Sequence, residues 1–123
     1  MRNISFSLTE EQFMDGSKTV TRRLGWANLK PGDRLMACRK CMGLKPGEKI
    51  VRLGEIEVVS VRREPLDFML FSSSVDDRSA YGDAEATLEG FPNLVGWEFV
   101  GMFCHEMKCK PGTIVNRIEF RHV

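Results

Sequence analysis

Nothing in the 123-residue chain approaches the about 20 uninterrupted apolar positions that a membrane-spanning helix needs. The opening run MRNISFSLTEEQ also lacks an apolar core of the kind that directs secretion, so no membrane partner and a cytoplasmic location are expected. Gly-rich phosphate loops, a Ser-His-Asp order and an H-E-x-x-H motif are all missing, which sets aside nucleotide hydrolysis of the common kinds and zinc peptidase chemistry. Internal repeats, low-complexity tracts and long linkers are missing too, and one domain over residues 1–123 is expected. Histidine is scarce; His105 and His122 stand alone at the end of an expected helix and on the closing strand, positions where a histidine is more often structural than catalytic.

What is present is enough for a core. With 42% hydrophobic and 28% charged residues, a chain of this length buries roughly two thirds of its unfolded surface without needing a disulfide or a metal. The formal net charge of +1 conceals a division. Residues 1–63 hold thirteen Lys and Arg against seven Asp and Glu, whereas residues 64–123 hold five against ten, so a +6 half is followed by a −5 half. Such blocks either mark solvated surface or build a basic face from the first half.

Four cysteines fall in two pairs, Cys38-x-x-Cys41 and Cys104-x4-Cys109. They could complete a tetrahedral zinc site if the two halves of the chain met. The wider second spacing favours reduced, mostly buried thiols instead, and no metal or other cofactor is expected.

Periodicity predicts an α+β domain. Ile4–Phe6 reads as a strand, and Thr9 with Gln12 as the start of a helix ending at Gly16. Lys18–Thr21 reads as extended, and the turn Leu29–Asp33 leads into a strand Arg34–Cys38. Lys49–Leu53 and Glu55–Arg62, separated by Gly54, read as a hairpin, and polar Ser72–Asp83 as a surface loop. Ala84–Leu88 suits a helical turn. Asn93 is placed to cap a helix through Met107 with Val95, Phe99, Met102 and Phe103 facing the core and Trp97 packing. In the closing strand Ile114, Ile118 and Phe120 alternate with Arg117, Glu119 and Arg121.

The run Gly16-Ser17-Lys18-Thr19-Val20-Thr21-Arg22-Arg23, after a helix and before a Pro-Gly-Asp turn, resembles the ASCH domain family of the PUA-like superfamily. Its signature is G-x-K-x-x-E-x-R; Gly16, Lys18 and Arg23 match, and Thr21 stands where Glu is usual. The resemblance implies a small PUA-like mixed β-barrel with two or three flanking helices and a central cleft that takes RNA or a modified nucleoside. Within the family an amidohydrolase acting on N4-acetylcytidine carries G-x-K-T-x-T here, with Lys, Thr and a downstream Glu as its catalytic set. That likeness implies Lys18 and Thr21 as catalytic residues, with Glu89 the best match for the third. In a perfect strand Lys18 and Thr21 would face opposite ways, so the reading demands a local break in the strand.

Two chemistries fit. An amine whose pKa is depressed by burial and by Arg22 and Arg23 could activate the Thr21 hydroxyl, or a charged Lys18 could hold an oxyanion while Glu89 activates water. Alternatively, Gly16, Arg22, Arg23, Arg39 and Arg63, with Trp26 stacking a base, would make a non-catalytic RNA-binding surface. A regulatory or structural partner protein is a third possibility, and the oligomeric state is left open.

Overall fold

The computed structural model describes residues 1–70 and 78–123. Five strands form one mixed sheet: β1 (Arg2–Ser5), β2 (Val20–Arg23), β3 (Arg34–Cys38), β4 (Arg52–Pro65) and β5 (Ile114–His122), in the order β1-β3-β4-β5-β2. The β1–β3 pair is parallel and the other pairs are antiparallel. The sheet curls into a half-barrel with three helices, α1 (Glu10–Met14), α2 (Arg78–Leu88) and α3 (Gly96–Met107), which is the α+β class expected. The curl has a local cause: the β4–β5 register slips between Val58 and Ser60, and the extra residue is a bulge that sharpens twist.

Burial divides into two cores. Inside the curl, Ile4, Phe6, Phe13, Leu35, Ile56 and Phe120 pack together, with the Phe6 and Phe13 rings stacked at 5.2 Å. Under the helices, Leu66, Met69, Ala86, Phe99, Val100 and Phe103 form the second. The edge strands β1 and β2 do not pair with each other, and the cleft described below opens beside them at the seam between the cores.

Several sequence expectations are corrected here. Lys49–Leu53 and Glu55–Arg62 are not a hairpin; β4 continues through Gly54, where its register against β3 shifts by one residue, and its hairpin partner is β3. Residues 78–83 are helix, the first half of α2, and not loop; the remainder of the expected loop, 72–77, extends outside the described residues. Asn93 does not cap α3. The Val95 amide is taken by the Glu98 carboxylate at 3.0 Å and the Gly96 amide by Asp83 of α2 at 2.8 Å. The core face of α3 is Gly96, Phe99, Val100 and Phe103, leaving Val95 at the surface and Trp97 70% exposed instead of packed. Gly96 meets Gly82 so closely that a Cβ on either would clash with the Met69 carbonyl, and this close crossing sets the face α3 presents. In β5, Arg117 is buried where alternation places it outside.

Candidate active site

The residues before β2 are tied down at both ends. The Lys18 amide donates to the Gln12 carbonyl at 3.1 Å, its carbonyl lies 2.9 Å from His122 Nε2, and the Thr19 amide donates to the Leu88 carbonyl at 3.0 Å. Because β2 begins only at Val20, Lys18 lies outside the pleat, and the alternation that would oppose it to Thr21 does not apply. Glu89 arrives from the other side, at the end of α2, where its amide still bonds to Glu85 and Gly90 stops the helix at a φ of 99°.

Lys18, Thr21, Arg22, Arg23 and Glu89 line one cavity of about 290 Å³. The Lys18 ammonium donates to the Glu89 carbonyl and lies 3.4 Å from Glu89 Oε1; both side chains are buried. Arg22 Nη1 donates to Glu89 Oε2 at 3.0 Å, while Nη2 reaches Glu64 Oε1 at 2.8 Å, Glu85 Oε1 at 2.5 Å and Tyr81 Oη at 3.3 Å. Arg117 from β5 makes two bonds to Glu85, and Arg62 from β4 bonds to Glu64 at 3.1 Å. Arg23 Nε donates to Thr21 Oγ1 at 2.9 Å and Nη2 to the Ser5 carbonyl at 2.5 Å, tying β2 to β1 across the cleft. The rest of the lining is mixed: Phe6, Phe91, Phe99, Met102 and Phe103 are apolar, and Ser5, Ser7, Thr9 and Glu106 are polar.

Burial shapes the electrostatics. Removal from water pushes the Lys18 amine down to about 8; Glu89 opposes the shift, and Arg23 and Arg22 reinforce it. Burial also works against the ionised Glu85, but the hydrogen bonds and charges of Arg117 and Arg22 outweigh it and hold the carboxyl below its ordinary range. Arg23 is lowered, chiefly by burial.

The other expected site residues stand apart from this cavity. Gly16 is an exposed turn after α1. Arg39 is exposed and grips Glu10 through two bonds of 2.7 and 2.9 Å. Arg63 is exposed on β4. Trp26 packs against the barrel core with the Arg2 guanidinium 4.9 Å above its ring. All four cysteines are free; only Cys38 is buried, and the others are half-buried against expectation. Among the described residues no three His, Cys, Asp or Glu side chains group as a metal site.

Sequence reasoning missed Glu64, Tyr81, Glu85 and Arg117. A signal existed: Tyr81, Glu85 and Glu89 fall at i, i+4 and i+8, one face of a helix. That face is polar, so a search for apolar periodicity passes over it.

Neither protein-family models nor curated proteins match the chain. Solved structures do. A protein from Enterococcus faecalis V583 of family DUF984 superposes with a TM-score of 0.61 at 16% identity, covering 100% of this chain and 80% of its own. An ASCH domain from Lactobacillus crispatus JV V101 superposes at 0.54 and 14% identity, covering 98% of this chain and 79% of its own. The fold is ASCH-like.

Proposed function

We propose that this ASCH-like domain hydrolyses the amide of a small acylated nucleoside, an N4-acylcytidine being the substrate class the motif favours, with Lys18, Thr21 and Glu89 as its catalytic group. The observation that carries the reading is the convergence of all three in one cleft, with the Lys18 amine held against Glu89.

The roles are assigned from the contacts of Glu89 and Arg23 and from the cavity that Lys18 and Thr21 share. Both Glu89 carboxylate oxygens face cations, Arg22 and Lys18, which makes Glu89 an orienting group for the amine. Lys18, with its pKa near 8, is the base: it takes the Thr21 hydroxyl proton, and Thr21 Oγ1 attacks the acyl carbon. Lys18 then returns the proton to the departing exocyclic amine as the C–N bond breaks, and water releases the acyl group as a carboxylate. Arg23, already bonded to Thr21 Oγ1, is placed to stabilise the oxyanion.

The cleft volume, about 290 Å³, lies at the low end for small-molecule sites and favours a single free nucleoside over a strand. Pairing also weakens the RNA-surface alternative. Arg34 faces Glu55 and Glu57, Arg39 binds Glu10, and Arg62 binds Glu64, so these cations are spent on carboxylates that phosphates would have to displace.

Chromatography of N4-acetylcytidine incubated with the protein tests the proposal. Release of cytidine by the wild type, reduced at least about 100-fold in Lys18→Ala and in Thr21→Val, is expected. No turnover at high enzyme concentration, or a wild-type rate in Lys18→Ala, would refute it.

A further inference from the structure

The buried charges behind the cleft do not pair off. Lys18, Arg22, Arg23 and Arg117 stand against Glu64, Glu85 and Glu89, while Arg62 and Glu119 reach the cluster from the solvent side with opposite signs. Among the buried and half-buried groups one positive charge is in excess, and only the exposed rim residue Glu106 offsets it. Among the described residues Lys18, Arg22 and Arg117 each have a carboxylate partner, whereas Arg23 has none. Its bonds go to a hydroxyl and a carbonyl, neither of which carries charge, and they leave Nη1 unspent. The guanidinium lies 5.2 Å from the Phe6 ring centre and lines the cavity; the Lys18 ammonium stands 5.4 Å from the same ring. A half-buried cation with no carboxylate in direct contact, only the more distant charge of Glu89, is costly, and an anion in the cavity would relieve it.

We propose that this cleft is a binding site for a small monocarboxylate with an apolar tail. The carboxylate sits between the free edge of Arg23 and the Lys18 ammonium, and the tail lies along Phe91, Phe99 and Phe103. A single charge fits better than the two of a phosphate, because the excess is one. Glu89 inside and Glu106 at the exposed rim both repel a second negative charge. The aromatic part of the wall, Phe91, Phe99 and Phe103, suits a hydrocarbon tail. On the hydrolase reading this anion is the acyl product, which would make the enzyme subject to inhibition by the acid it releases. That consequence rests on the reading above; the binding does not.

Titration of the ¹⁵N-labelled protein with sodium benzoate and with sodium acetate, at ionic strength held constant with sodium chloride, tests the site. Saturable shifts at Ser5, Thr21, Arg23 and residues 99–103 are expected, with benzoate tighter than acetate. Arg23→Gln should weaken benzoate at least about tenfold, the loss of a charge-assisted bidentate contact. Glu106→Gln is exposed and safe for folding; it should tighten binding about twofold by removing rim repulsion. Shifts that do not saturate, shifts that sodium chloride alone reproduces, tighter binding of inorganic phosphate than of benzoate, or an unchanged affinity in Glu106→Gln would each overturn the proposal. Benzoate binding without amide turnover would sustain the site and refute the hydrolase. Turnover without carboxylate binding would do the reverse.

Discussion

Replacing Arg22 with Met should be among the most damaging single changes in the molecule. The side chain is fully shielded from solvent and joins three carboxylates, Glu64, Glu85 and Glu89, at 2.8, 2.5 and 3.0 Å. Met keeps much of the volume, so the cost is electrostatic. It is less than the sum of three lost pairs, because each carboxylate keeps one cation: Glu64 retains Arg62, Glu85 retains Arg117 and Glu89 retains Lys18. Breaking one buried ion pair costs about 3–5 kcal/mol, and that range applies here. Against a total stability of about 5–15 kcal/mol, the variant should still fold, with a much lower urea midpoint. The cost should also depend on pH. Arg22 helps hold the Glu85 carboxyl below its ordinary range, so this part of its contribution is present above the unfolded carboxylate pKa and is lost as pH falls through the lower folded value. Urea unfolding of wild type and Arg22→Met at pH 7, and at a pH below the ordinary carboxylate range, should therefore show a gap that narrows in acid. A gap under about 1 kcal/mol at pH 7 would mean the cluster is far better solvated than its burial implies, and a gap that does not change with pH would refute the electrostatic account.

Four further outcomes are expected. If Lys18 is the base, kcat/KM should rise with pH and level off above about 8, and Arg23→Gln, by removing a neighbouring cation, should move the inflection upward; a profile that falls above 8 would assign the charged ammonium instead. Gly82→Ala places a Cβ 2.1 Å from the Met69 carbonyl oxygen and should cost more than about 2 kcal/mol by urea unfolding. Gly101→Ala meets nothing within 4 Å on the exposed face of α3 and should gain about 0.5–1 kcal/mol, so the reverse order would refute the close helix crossing. Trp97→Ala should shift stability by no more than about 0.5 kcal/mol, a larger loss showing that the ring packs after all.

Where chain chemistry is local, the sequence alone was sufficient. Strand β3 begins and ends where the turn and the apolar run place it, and β5 follows its alternation at Ile118, Phe120 and Arg121 but not at Ile114, which is exposed, or Arg117, which is buried. Lys18 and Thr21 stand out by motif, and Glu89 by its order in the chain. The charge division also has a structural meaning: Lys18, Arg22 and Arg23 come from the basic half and Glu64, Glu85 and Glu89 from the acidic half, so the two halves supply opposite sides of one cluster. Arg117, a cation from the acidic half, is the exception.

Tertiary structure decided what depends on partners distant in the chain. Only the second half of α2 was legible, as the helical turn Ala84–Leu88, because the face it shares with Glu89 carries Tyr81 and Glu85, and a polar side chain is stable inside only when cations from β2, β4 and β5 meet it there. The apolar face of α3 was read in part, with Phe99, Met102 and Phe103 on the core side as expected and Val95 outside it; Gly96, which meets Gly82 of the neighbouring helix, belongs to a contact that no single-helix period contains. Gly54 looked like a break because a glycine weakens an isolated strand, yet here it sits at a register shift that β4 carries through while still paired with β3. The sequence determined which groups could do chemistry. Which of them are buried together, and so have the perturbed charge that chemistry needs, was settled only by folding, since desolvation is a property of the assembled cores and not of any residue's neighbours in the chain.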